Sequence, residues 1–253
     1  MDLGLRDRVF VVTAASSGLG RATAQQLVAE GARVVLVARR EDVLAEVVTT
    51  LGSDPAVSLT ADLAAATTAE DACRLALDTW GRLDGALVSA GGPAAGSALG
   101  TPDSDWVAGF ESVFLAALRV TRAVVAHGTA DDLAIAWVLS TSVKAPVGGL
   151  AVSNGLRPGL AMLVKQLADE LGPTGGRVLG LMPGRVETER TRELDAKDPD
   201  PAVGRAAREA AIPLRRYGTP EEFGRVAAFL LSPAASYVTG CVVPVEGGAL
   251  RSL

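Results

Sequence analysis

Seven short, almost wholly apolar runs recur along this chain, at residues 8–13, 33–37, 57–60, 85–89, 134–139, 177–181 and 241–245, and longer amphipathic segments separate most of them. The runs read as strands. Their nearly unbroken apolar character is what a strand buried on both faces requires. The intervening segments read as helices over 19–30, 41–51, 69–80, 104–126, 150–171 and 220–231. A strand lying parallel to its predecessor needs a crossover of about a dozen residues or more, usually helical. Alternation of this kind therefore predicts a parallel sheet with helices on both faces.

That order of elements predicts one α/β domain over residues 1–253, a doubly wound, Rossmann-like fold of about seven strands. A chain of this length can bury a large core. With 49% hydrophobic but only 4% aromatic residues, that core is built from Ala, Val and Leu. A net charge of −5 gives no electrostatic case for nucleic acid. Cys73, Cys241 and the single His127 have no metal-ligand spacing, so no metal site is expected. Residues 1–12 lack a basic leader with an apolar core, and no apolar run approaches the ~20 residues needed to span a bilayer. A cytoplasmic protein with no membrane partner is the expectation. The least regular stretch is 187–213, which holds Asp195, Asp198, Asp200, Pro199 and Pro201. It follows the sixth strand, beyond the carboxyl ends where such sheets bind ligands, and reads as either a substrate lid or a mobile surface loop.

The first strand runs directly into Thr13, Ala14, Ala15, Ser16, Ser17, Gly18, Leu19 and Gly20, where a helix opens. Backbone N–H groups at a helix N-terminus hold anionic oxygens, and glycine lets phosphates approach closely. Thr13, Ala14, Ser16, Ser17, Gly18, Leu19 and Gly20 are therefore candidate cofactor contacts. The second strand ends in Ala38, Arg39 and Arg40. A fold selecting NAD usually places an acidic residue here, on the ribose 2′-hydroxyl. Ala38 takes that place, while Arg39 and Arg40 suit a 2′-phosphate or are simply solvated at a helix start. NADP(H) is accordingly expected over NAD(H).

At this point the chain resembles the short-chain dehydrogenase/reductase family, over nearly its whole length. Thr13, Gly18 and Gly20 match that family's T-G-x-x-x-G-x-G turn, with Ala14 replacing the first glycine. Asp62-Leu63 is similar to its adenine-side pair, and Ser89-Ala90-Gly91 ends the stretch where the family has N-N-A-G. Pro183-Gly184, Val186 and Thr188 match the P-G-x-x-x-T segment that clasps the nicotinamide carboxamide. Gly218-Thr219-Pro220-Glu221-Glu222 resembles the start of the last long helix, and residues 235–240 and 246–248 bracket the last strand. The segment 242–253 resembles the family's subunit-contact region, which implies a homotetramer, with a dimer as the alternative.

The family's chemistry rests on a serine, a Y-x-x-x-K pair and a helper asparagine. The resemblance places Ser153 at the tyrosine, Arg157 at the lysine and Val113 at the asparagine. Pro158 follows at once and predicts a kink or a late helix start. The serine is Ser140, 13 residues before Ser153, or Ser142, 11 before it. Tyr217 and Tyr237 fall in or beside C-terminal segments. Of the three lysines, Lys165 lies far along the same helix, and Lys144 follows the strand end at the mouth of the site. Arginine stays protonated, so Arg157 can stabilise an alkoxide or hold ribose hydroxyls but is no ready proton donor. The pattern is similar to a divergent branch labelled carrier-protein-type ketoreductases. It implies an NADPH-dependent carbonyl reductase acting on a small-molecule substrate, with the proton relayed from water or Lys144. The alternatives are a nucleotide-binding sensor or oligomer partner without redox turnover, and proton abstraction or elimination on the same scaffold.

Overall fold

Strands β1 (Val9–Thr13), β2 (Arg33–Ala38), β3 (Ala56–Thr60), β4 (Gly85–Val88), β5 (Ala134–Val138), β6 (Arg177–Pro183) and β7 (Val242–Val245) form one parallel sheet in the computed structural model, which describes residues 1–252. Their order is β3-β2-β1-β4-β5-β6-β7. The chain builds outward from β1 to one edge, then crosses back to place β4 on the other side of β1. Val11 is thus paired with both Val35 and Ala86. This reversal opens a crevice at the carboxyl ends of β1 and β4, the place where such sheets bind ligands.

Successive residues of β1 serve opposite layers, as the period of a strand dictates. Phe10 and Val12 pack with Leu27 of α1 (Gly18–Ala29), Leu44 of α2 (Glu41–Leu51) and Phe223 of α9 (Pro220–Leu231). Val9 and Val11 pack with Cys73 of α3 (Thr68–Trp80), Val120 of α5 (Ala116–His127) and Val164 of α6 (Ala151–Leu171). The strands and most helices follow the sequence expectation closely, because a run apolar on both faces has only the middle of a sheet to occupy.

Three stretches depart from it. The helix expected over 104–126 is α4 (Asp103–Gly109) and α5 joined by a π-helical stretch, Phe110–Leu115. The irregular stretch 187–213 contains two helices, α7 (Glu189–Asp195) and α8 (Pro201–Ala211). Both carry legible caps. The Thr188 hydroxyl accepts from the Thr191 N–H, and the Asp200 carboxylate accepts from the N–H groups of Ala202 and Val203, with Pro201 opening α8. Finally, α6 neither starts late nor stops at Pro158, which lies inside it. Packing overrides the proline: Leu160 and Val164 are buried against the sheet, and Val152 is buried beside Gly109 at the end of α4. Asn154 also fastens the first turn, through hydrogen bonds of 2.9 and 3.0 Å to the backbone of Val147. Leu253, at the end of the expected contact segment, lies outside the described residues.

Among the described residues no helix is long and apolar enough to cross a membrane, and no group of three or more His, Cys, Asp or Glu could hold a metal ion.

Candidate active site at the sheet switch point

The turn after β1 is built on two left-handed residues, Ala14 at φ 50° and Gly18 at φ 56°. Gly20 is required for a different reason. A Cβ there would stand 2.5 Å from the Ala14 carbonyl oxygen and 2.8 Å from that of Thr13, so α1 could not close onto the turn. Ser17 occupies the N-cap of α1 without a side-chain hydrogen bond, which leaves the first-turn N–H groups to an external anion.

Thr13 ties the two sides of the crevice together. Its hydroxyl donates to the Ser89 carbonyl at 2.6 Å and accepts from the Ser89 N–H at 2.8 Å. Ala90 and Gly91 continue from there as an increasingly exposed loop. Ala38 closes β2, and its carbonyl accepts from the Ala61 N–H, which brings the exposed Asp62 and half-buried Leu63 to the same end of the sheet. The Asp62 carboxylate accepts from the Ala64 N–H at 2.9 Å.

The two arginines after β2 part company. Arg39 is exposed. Arg40 is exposed as well but lies over the glycine turn, where it donates to the hydroxyls of Ser17, at 3.0 Å, and Ser16, at 3.3 Å. It borders a cleft of about 360 Å³ together with Gly18, Arg21, Thr188, Glu189 and Arg192. Sequence reasoning missed Arg21, Glu189 and Arg192. Arg21 was legible, because it lies one helical turn after Ser17. The other two were hidden when 187–213 read as a loop.

From the opposite wall, Gly184 donates its N–H to Val245 and the buried Val186 bridges to Gly218. Pro183, Gly184, Val186 and Thr188 thus run from the end of β6 to the glycine turn. A Cβ on Gly18 would meet Thr188 Cγ2 at 3.3 Å.

The structure separates the two candidate serines. The Ser140 side chain accepts from the Ser142 N–H at 3.1 Å and caps the short turn Thr141–Val143. Ser142 is 4% exposed, with its Oγ 3.3 Å from Ser153 Oγ and 3.5 Å from the Ser153 carbonyl oxygen. Ser153 and Arg157 lie one turn apart in α6, both buried. Arg157 donates through Nη1 to the carbonyl of Val138, the last residue of β5, at 2.6 Å. Among the described residues no carboxylate lies within 4 Å of this guanidinium. Burial in low dielectric pushes its pKa down to about 10.

Val113 is buried in the π-helical stretch as a core residue. Lys144 is exposed on the turn beside Ser142, and Lys165 pairs with Asp169 at 3.7 Å on the surface of α6. Neither tyrosine is paired with Ser153. Tyr237 is fully exposed. Tyr217 is buried, donates to Asp195 at 3.0 Å and lies under the Arg205 guanidinium, 4.7 Å from its ring centroid. Burial, and then the Asp195 contact, raise the Tyr217 pKa. Asp195 also accepts from Arg185 at 2.9 Å, so the 187–213 excursion is fastened to the body through this cluster.

Comparison with known proteins agrees with the geometry. The family profile described as Enoyl-(Acyl carrier protein) reductase matches residues 13–249. An uncharacterized oxidoreductase of Mycobacterium tuberculosis (strain ATCC 25618 / H37Rv) is 32% identical over 96% of this chain and 92% of its own length. Cyclohexanol dehydrogenase of Rhodococcus sp. (strain TK6) is 30% identical over 99% of each chain. Among solved structures, L-sorbose reductase from Gluconobacter frateurii, complexed with NADPH and L-sorbose, superposes with a TM-score of 0.92 at 28% identity over the full length of both chains.

Proposed function

The chain belongs to the short-chain dehydrogenase/reductase family, and on that premise we propose that this oxidoreductase uses NADP(H) to interconvert a carbonyl and an alcohol through an atypical centre formed by Ser142, Ser153 and Arg157. The observation that carries this reading is the buried Arg157 guanidinium, without a carboxylate partner among the described residues, one helical turn from a pair of facing hydroxyls. Removing a charge from water without a counter-charge is costly, and a fold keeps such a group where it meets a transient negative charge.

The residues present fit a dinucleotide. The uncapped N-terminus of α1 suits a diphosphate, and Gly18 and Gly20 keep the turn free of side chains. Arg40, with Arg21 beside it, suits a 2′-phosphate. Pro183, Gly184, Val186 and Thr188 would clasp the nicotinamide end, while Ser89, Ala90, Gly91, Asp62 and Leu63 line the adenosine path. NADPH supplies the hydride when bound.

Arg157 holds positive charge where the carbonyl oxygen becomes an alkoxide, or holds the ribose hydroxyls as a lysine would. Ser153 donates its proton to that oxygen and is refilled by Ser142, and the proton comes from water or from the neighbouring Lys144. Ser140 sets the turn that aims Ser142. The excursion over 187–213 acts as the substrate lid of a single domain spanning 1–253. Subunits associate as a homotetramer through the β7 edge and the segment after it, with a dimer as the alternative that sedimentation would reveal. The chemistry calls for a small-molecule carbonyl substrate.

A second reading, nucleotide binding without turnover, is favoured by one observation: the Tyr217 hydroxyl is committed to Asp195 and Tyr237 is on the surface, so no phenol is paired with Ser153. Titrating the protein with NADPH and NADH by nucleotide fluorescence, followed by a carbonyl substrate screen, separates the two. Tight NADPH binding with turnover supports the reductase. Tight binding with no turnover supports the sensor.

A further inference from the structure

Three consecutive residues at the start of the lid touch three different walls of the cofactor crevice. Thr188 lies against Gly18 of the glycine turn. Glu189 pairs with Arg40 at the end of β2, Oε2 to Nη2 at 3.5 Å. Arg190 reaches the loop after β4, where Nη2 donates to the Pro93 carbonyl at 3.2 Å. The segment therefore crosses the crevice as a strap. Among the described residues, its contact with charge on the β2 side is made by Glu189 alone. Glu187, the other acidic group on this cleft, is taken by Arg205. Among the described residues, Glu189 is the one carboxylate within 4 Å of Arg40.

We infer that Glu189 is a cofactor-selectivity residue: its carboxylate occupies the partner position on Arg40 that a 2′-phosphate takes, so that only a phosphorylated cofactor releases the strap. The inference rests on the NADP(H) reading above. An arginine fork accepts either a carboxylate or a phosphate, and the two exclude each other by charge. A 2′-phosphate that takes Arg40 leaves Glu189 beside a like charge and detaches it. An unphosphorylated cofactor offers Arg40 nothing in exchange, and the strap stays fastened. Glu189 thus competes with the phosphorylated cofactor, which must displace it, tempers the preference for that cofactor, and leaves binding of the unphosphorylated one untouched.

The test is isothermal titration of the full chain and of Glu189→Gln, Arg40→Ala and the double variant, with NADP⁺, NAD⁺ and adenosine 2′,5′-bisphosphate. An exposed pair of this kind is worth little, so Glu189→Gln should tighten NADP⁺ and the bisphosphate by about two- to fivefold. NAD⁺ affinity should change by less than about twofold, as expected if its binding leaves the pair intact. The gain should vanish when Arg40 is alanine, because the effect acts through it. Cleavage within 187–213 by a low dose of protease should rise when wild type is saturated with the bisphosphate, and not with adenosine 5′-monophosphate. A gain that is equal for both cofactors, absent, or retained without Arg40 overturns the inference. Should wild type fail to prefer NADP⁺, with Arg40→Ala leaving it unchanged, the NADP(H) reading falls and takes the inference with it. Should the preference hold and depend on Arg40 while Glu189→Gln does nothing, only the role of Glu189 falls.

Discussion

Ser142 and Ser153 face each other hydroxyl to hydroxyl at 3.3 Å, one on the turn after β5 and the other in the first turn of α6, both closed off from solvent. A lone serine is too weak an acid to protonate an alkoxide in a catalytic step, but two in series can pass a proton on. General acid assistance is worth about 10²–10⁴ in rate, so Ser153→Ala should lower kcat by roughly 10²-fold while NADP⁺ affinity stays within about twofold. Ser142→Ala should cost about as much, and the double variant little more, because the two act as a unit. Steady-state NADPH oxidation on the same substrate checks all three. Unchanged turnover in either single variant would remove the pair from the proton path.

Arg157 makes the opposite kind of prediction, in which losing function gains stability. The folded state holds this guanidinium with its pKa lowered to about 10, well below its value in an open chain, and desolvation is the cause. The folded state therefore binds the proton less tightly than the unfolded state. The cost is fully present below pH ~10 and fades as pH rises from there toward the ordinary arginine range. Arg157→Met should stabilise the protein by about 1–3 kcal/mol in urea unfolding at pH 7 and abolish turnover. The difference from wild type should be flat between pH 6 and 9, since the titration lies above that window. A destabilised Arg157→Met would show that the bond to the Val138 carbonyl outweighs burial of the charge.

Most of the sheet was legible because burial on both faces leaves one signature, an apolar run of strand length. The glycine turn was legible through Gly18 and Gly20, whose missing side chains answer a left-handed φ and a 2.5 Å approach to the Ala14 carbonyl. The lid was not. Nothing in α8 is buried, so no apolar stripe announces it, and its clearest signal, Asp200 before Pro201, is a cap rather than a core pattern. Nor could sequence spacing choose between Ser140 and Ser142. That choice depends on a short turn capped by Ser140 itself, which carries the hydroxyl of Ser142 to Ser153.

Ala14 marks local strain. Its φ of 50° places a Cβ-bearing residue in the left-handed region, which costs about 1–2 kcal/mol for an L-residue. Glycine would relieve that cost and add back about 0.4–1 kcal/mol of unfolded-chain entropy. Ala14→Gly should therefore stabilise by up to about 1 kcal/mol, seen as a rise of a few degrees in Tm. Ala15→Gly, fully buried and outside the left-handed region, should lower it. A lower Tm for Ala14→Gly would mean that its methyl makes contacts worth more than the strain.

Arg177 is the second deeply buried arginine, and its surroundings predict the reverse of Arg157. It opens β6 and reaches the end of α9 and the turn after it, where Nη1 donates to the carbonyls of Leu230 at 2.8 Å and Ala235 at 3.1 Å, and Nη2 to that of Ser232 at 2.9 Å. The Ser232 and Ala235 carbonyls also accept from the N–H groups of Ala235 and Val238, so the Leu230 carbonyl, near the end of α9, is the one that depends on this arginine. Desolvation again lowers the pKa, but Asp132 raises it in part. Methionine would fill the space, leave the Leu230 carbonyl unpaired at a cost of about 1–3 kcal/mol, and strip the Ser232 and Ala235 carbonyls of their second donor. Arg177→Met should thus destabilise by about 1–3 kcal/mol in urea unfolding, while Arg157→Met stabilises. Measured side by side, the two variants separate an arginine kept for structure from one kept for chemistry. If both move the same way, the number of carbonyls around a buried guanidinium does not decide its contribution.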